Sequence, residues 1–217
     1  KPPDVIFEEE VKKCQIDRCA EVVRSVNGSK RHQVSIFGDV LAEQSQKELH
    51  KAFFDNATHA VVGGLSWLIV CVNQRSRSSF YTLLEVVVCT CIASLIDVDH
   101  FIVAKSFNLK NATNLDKRPF LHCSSIPIVL TAYLLLLSYY FKDQNLQRAA
   151  FVISTAFFSH HTRDATRRGY WFYPFGHTAP IPYFIYLILT IFIPYLTYEV
   201  IKVMNLGKSN DFLIVDV

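Results

Sequence analysis

The chain has 217 residues, 51% of them hydrophobic, with a positive mean hydropathy and a formal net charge of only +3. A soluble domain of this length carries amphipathic elements, whereas the apolar blocks here have almost no polar stripe, which excludes an ordinary water-soluble fold. The basic residues are scattered and form no cationic patch, so nucleic acid is excluded as a partner and membrane lipid is expected instead.

Residues 1–54 form a polar N-terminal region, in which Val5 to Val26 is expected to make a charged helix ended by the Asn27-Gly28-Ser29 turn. Met204 is the only methionine, so Lys1 is expected to mark a processed or incomplete start. Residues 55–206 are read as a membrane domain and 207–217 as a short tail. The fold class is all-α, a polytopic helical membrane protein, because backbone polar groups in lipid must pair within helices and no period-two alternation suggests a barrel.

About five transmembrane helices are expected, since a hydrocarbon core about 30 Å thick takes roughly 20 apolar helical residues. They run Ala57 to Asn73, Phe80 to about Ala104, Phe120 to Phe141, Leu146 to about Arg163 and Ile181 to about Met204. The fourth has an uninterrupted apolar run only from Ala149 to Phe158 and is also compatible with a buried or re-entrant segment. Pro194 predicts a kink in the fifth. Of the six cysteines, Cys71, Cys89, Cys91 and Cys123 read as small buried hydrophobes, and Cys14 with Cys19 is the only redox pair the spacing allows.

Ionisable groups are expensive inside a membrane and usually face a cavity or one another. Four clusters stand at helix ends: Asp55-Asn-Ala-Thr-His59, Asp97-Val-Asp-His100, Arg118-Pro-Phe-Leu-His122 and His160-His-Thr-Arg-Asp164. Following the chain back and forth brings all four to one membrane face, together with His177. Within the clusters Asp55 and His59 are four apart, Asp97 and His100 three, and Asp164 lies three and four residues after His161 and His160, spacings that share a helix face.

Imidazole nitrogen and carboxylate oxygen are the donors of Zn, Mn and Fe sites. His59, Asp97, His100, His122, His160, His161 and Asp164 are therefore candidate ligands of a divalent metal. Asp99 is the candidate proton acceptor, and Arg118 and Arg163 the candidates for balancing negative charge on a substrate. Arg167 and Arg168 flank the same face, where guanidinium suits a phosphorylated substrate or serves as an interfacial anchor. Tyr170 to Tyr173 read first as an aromatic belt. Helix-end His and Asp also occur as ordinary interfacial packing, and intramembrane His and Asp also build proton or metal relays, so hydrolase, transporter and scaffold readings all stand at this point.

Those four stretches, with Trp171 and Pro174-Phe-Gly176, resemble the transmembrane protein 267 family over about Asp55 to Tyr186. More distantly, the order His, Asp-x-Asp-His, Arg-x3-His, His-x3-Asp is similar to bacterial inner-membrane proteins described as membrane-bound metal-dependent hydrolases. The resemblance implies a metal-dependent hydrolytic reaction at His59, Asp97, Asp99, His100, His122, His160 or His161, and Asp164. It also implies a further hydrophobic helix upstream of His59, where Glu21 to Gln46 is polar in this chain. The Asn111-Ala112-Thr113 sequon lies in a loop on the histidine-bearing face, and Lys and Arg divide too evenly to orient the chain.

Overall fold

The computed structural model describes residues 33, 36, 48–74 and 79–214, and no side chain is described at 48, 79 or 206–214. The expected N-terminal helix, its turn, the Cys14 and Cys19 pair and the Glu21 to Gln46 stretch lie outside the described residues. The helices are α1 (Glu48–Gln74), α2 (Ser79–Leu95), α3 (Val98–Ala104), α4 (Leu109–Thr113), α5 (Ser125–Phe141), α6 (Gln144–Arg168) and α7 (Tyr183–Ile214). A 3-10 turn at Phe120–His122 precedes α5. Strands β1 (Trp171–Phe172) and β2 (Gly176–His177) pair antiparallel as a small hairpin, the one strand pair among the described residues.

Helix α6 is the centre of the bundle and packs against α1, α2, α5 and α7. Its start is set by Asp143, whose side chain accepts from the Asn145 and Leu146 amides, and its end by Gly169 at φ +67°, with Arg167 and Arg168 in the last turn facing the negative end of the helix dipole. A β-carbon at Gly169 would collide with the Thr178 carbonyl, so the chain turns there at close quarters. Of the two open readings for the fourth segment, the structure has a continuous buried helix.

Helices α1 and α2 approach closely through small residues. A β-carbon on Gly63 would lie 2.6 Å from the Ala93 β-carbon, and the Cys89 thiol reaches the Gly63 carbonyl at 3.3 Å. Around this contact Trp67, Val70, Cys89, Ala93, Phe151, Val152, Ala156 and Ile201 form the buried apolar core.

Outward faces are apolar as well. Leu83, Leu84, Val87 and Val88 on α2, and Phe184, Ile188, Phe192 and Val203 on α7, are exposed, a surface that water would penalise at about 25 cal/mol per Å² and lipid does not. Among the described residues three stretches are long and apolar enough to cross a membrane, Leu49–Gln74, Phe80–Ala104 and Tyr183–Asn205, and Ser125–Phe141 is a shorter apolar helix.

One helix boundary and one cysteine differ from the sequence reading. The third helix begins at Ser125, not Phe120, because Pro119 fixes an extended entry and a 3-10 turn intervenes. Cys91 is exposed on the outer face of α2, while Cys71, Cys89 and Cys123 are buried.

Candidate metal centre

The helix of the second span breaks at Ile96 and Asp97, where the Asp99 amide bonds to the Ile96 carbonyl at 3.3 Å and the His100 amide to the Asp97 carbonyl at 3.2 Å. This tightening to a three-residue step has a chemical consequence. Residues two apart on a regular helix do not share a face. Here both Asp97 and Asp99 reach the same histidine: Asp97 Oδ1 lies 3.3 Å from His122 Nε2, and Asp99 Oδ2 lies 3.3 Å from His122 Nδ1.

His122 arrives from the 3-10 turn, which is anchored by the Leu121 amide donating to Asp99 Oδ2 at 2.8 Å. His160 and Asp164 arrive from α6, one turn apart. His122 Nε2, His160 Nε2 and Asp164 Oδ2 form a closed triangle with sides of 3.3, 3.2 and 3.3 Å. The same two imidazole nitrogens form a second triangle with Asp97 Oδ1, at 3.3 and 3.5 Å. A tetrahedral shell with ligands at about 2.0–2.1 Å has edges of about 3.3–3.4 Å, so each triangle has the dimensions of one face of such a shell. Two further groupings overlap it, His59 with Asp97 and His160, and Asp97 with His100 and His122.

The tautomers follow from the second partners. His160 Nδ1 lies 2.8 Å from the Ala93 carbonyl and donates to it, and His122 Nδ1 faces the Asp99 carboxylate. Both rings therefore turn the lone pair of Nε2 toward the same point, where two carboxylate oxygens also converge. That arrangement requires a cation, either a proton or a metal ion. Burial opposes a charge on His122, but Asp164, Asp97 and Asp99 outweigh it and hold its pKa up to about 11. The residues thus fit a divalent ion, with the proton on His122 as its competitor. His59 stacks on His160 with ring centroids 3.8 Å apart, keeps Nε2 3.4 Å from Asp164 Oδ1, and leaves its buried Nδ1 without a hydrogen-bond partner.

Three of the expected site residues, Asp99, His161 and Arg163, lie outside both the ligand groupings and the larger cavity beside them. Asp99 is fully buried behind His100 and His122, 3.2 Å from His100 Nδ1, and lines neither of the two cavities beside the cluster. His161 has Nε2 2.8 Å from the Leu121 carbonyl and Nδ1 3.3 Å from Ser124 Oγ, and it joins none of the ligand groupings. Arg163 is buried and ion-paired to Asp55, which Arg167 also grips with both amino groups at 2.8 and 2.9 Å. The cavity beside the cluster, about 130 Å³, is lined by Arg118, Arg167 and Arg168 with Asp97, His122 and Asp164 among others, but not by Arg163.

Sequence reasoning named Arg168 beside the site but missed Asp55 as the anchor of two arginines. The i, i+4 relation of Asp55 to His59 was a signal only that Asp55 belongs to the site. The carbonyls of Ala93 and Leu121 had none, since backbone partners carry no residue signature. His177 lies on β2, exposed and edge-on to Trp171, away from the cluster. Tyr170 and Trp171 are not a free belt: the Tyr170 hydroxyl bonds to Thr162 at 2.9 Å, and the Trp171 carbonyl accepts from the Ser124 amide at 2.7 Å.

Fold and site together define a multi-pass helical membrane protein with a His and Asp cluster at one end of its bundle. The chain belongs to the YdjM inner membrane protein family, whose model matches residues 54–214, and to the transmembrane protein 267 family. It is 41% identical over 150 residues to Transmembrane protein 267 of Xenopus laevis, covering 69% of this chain and 68% of that protein. The Danio rerio protein of the same name is 42% identical over 150 residues, covering 67% and 65%, and that of Mus musculus is 40% identical over 147 residues, covering 67% and 66%. The chain thus spans about two thirds of the length of these relatives. No solved structure matches it. Membership and the exposed apolar helices make it an integral membrane protein.

Proposed function

We propose that the chain is a metal-dependent hydrolase of a membrane-resident ester, with His122, His160 and Asp164 holding a divalent ion. The closed triangle of their donor atoms, 3.2–3.3 Å on each side, is the observation that supports this reading most strongly. When bound, an ion of the Zn, Mn or Fe type polarises an ester oxygen and lowers the pKa of water. The remaining work falls to the chain. Ala93 and Asp99 hold the two imidazoles in the ligating tautomer. Asp97, on the cavity wall and partly accessible, accepts the proton released at the site, a role taken over from the buried Asp99. Arg118 is near enough to balance negative charge as it develops.

A metal or proton carrier would use the same residues but needs a route to the other side. Between the cluster and the opposite end of the bundle the interior is filled by Trp67, Val70, Cys89, Ala93, Val152 and Ala156, which favours chemistry at one face over passage. The test is ester cleavage in mixed micelles after chelator treatment and metal return. Asp97→Asn is expected to keep the metal and lose activity by about 10²–10⁴-fold. Metal binding with no cleavage of any membrane ester would leave a carrier or a structural ion.

A further inference from the structure

The charges around the 130 Å³ cavity do not balance in pairs. Asp55 is taken by Arg163 and Arg167. Arg118 is half-buried, and its one hydrogen bond goes to the Gly169 carbonyl at 2.9 Å. Arg168 makes no hydrogen bond or ion pair among the described residues. Two guanidinium groups therefore face one cavity without a carboxylate hydrogen-bonded to either, and burial, then repulsion from Arg168, draws the Arg118 pKa below its ordinary value against the opposing pull of Asp164, whose carboxylate is turned to the histidines. An anion set between them would remove that repulsion and accept from both planar forks.

The size of the cavity narrows what that anion belongs to. Pockets that enclose a whole small molecule run to about 300–1,000 Å³. A cavity of about 130 Å³ admits a phosphate-sized group and leaves the rest of its molecule outside. Outside are aromatics on loops at the same end of the bundle. Phe107 is 97% exposed, Phe120 adjoins the wall residue Pro119, and Tyr173 and Phe175 form the tip of the hairpin, which is pinned to the first turn of α5 by Ser125 Oγ donating to the Tyr173 carbonyl at 3.0 Å. Exposed aromatic rings at the ends of membrane helices settle at headgroup depth.

We infer that this cavity receives the phosphate monoester headgroup of a lipid, with Arg118 and Arg168 as its recognition pair. A monoester offers three free oxygens, enough for both guanidinium forks and the His and Asp cluster beside them, whereas a diester offers two. The inference rests on the hydrolase reading for the position of the reacting bond, but it is tested by binding.

Detergent-purified full chain is equilibrated with mixed micelles containing phosphatidic acid, phosphatidylglycerol or phosphatidylcholine, and retained lipid is counted while metal content is measured in parallel. Phosphatidic acid is expected to be retained about tenfold over the anionic diester and the zwitterion, and Arg168→Gln is expected to lose that preference with metal content unchanged. Arg118→Gln is the companion variant, but Arg168→Gln decides, since it removes no hydrogen bond among the described residues. Equal retention of the three lipids, or wild-type retention by Arg168→Gln, overturns the inference. Inorganic phosphate displacing phosphatidic acid at equal concentration would assign the site to a soluble phosphate and overturn the lipid source. Arginine-dependent retention by a protein that holds no metal would support the anion site and sink the hydrolase reading, while metal without lipid preference does the reverse.

Discussion

His122 and His160 each point an unshared nitrogen pair at the other across 3.3 Å, a contact that only a cation relieves. In the metal-free protein the proton on His122 is that cation. The stability it contributes is fully present below the ordinary imidazole value of 6.5 and is lost as pH rises toward about 11. A metal must displace the same proton, so metal binding strengthens over the same range. Chelator-treated protein is therefore expected to melt at lower temperature as pH rises, while the rise in melting temperature on adding metal grows. A metal-induced shift independent of pH would contradict this. At the same scale the two adjacent histidines differ. His160→Ala is expected to abolish metal binding. His161→Asn is expected to retain it, because both ring nitrogens of His161 already face Leu121 and Ser124. Loss of metal from folded His161→Asn would mean that the ligand set is wrong.

Helices meet around two contrasting devices. At the end opposite the cluster, Glu85 of α2 receives Arg148 of α6 and the Trp67 indole of α1, with Arg148 also 5.4 Å above the Trp67 ring and bonded to Gln74. The pair is mostly buried, and breaking one side of such a pair costs about 3–5 kcal/mol. Arg148→Ala should destabilise the bundle on that order in denaturant titration within micelles, whereas Lys202→Ala, at an exposed pair, should do almost nothing. Equal effects would mean that Glu85 and Arg148 are not the clamp. Nearer the site, Gly63→Ala sets a new β-carbon against Ala93, and its destabilisation of about 1–3 kcal/mol should be relieved in the double variant with Ala93→Gly. Additive effects would deny that contact.

For the molecule as a whole, the apolar blocks and the one-sided distribution of His and Asp were legible because hydropathy and helix spacing are properties of single segments. What those segments do to one another was not. The break at Ile96 and Asp97 lets residues two apart reach one histidine, and a strict helical period would have put Asp97 and Asp99 on different faces. Asp99 and His161 therefore look like reactive groups in sequence, although one is buried behind imidazoles and the other is bonded to a carbonyl. Arg168 stood in the sequence as either a phosphate contact or an interfacial anchor, and nothing there separated it from Arg163 and Arg167, which are spent on Asp55.

A divalent ion held by the two imidazoles and the Asp164 carboxylate would be seen by elemental analysis of the protein purified in detergent without chelators. At least one equivalent of a divalent transition metal is expected, lost in His122→Ala and His160→Ala. Native protein carrying none, and taking up none when it is supplied, would contradict that assignment.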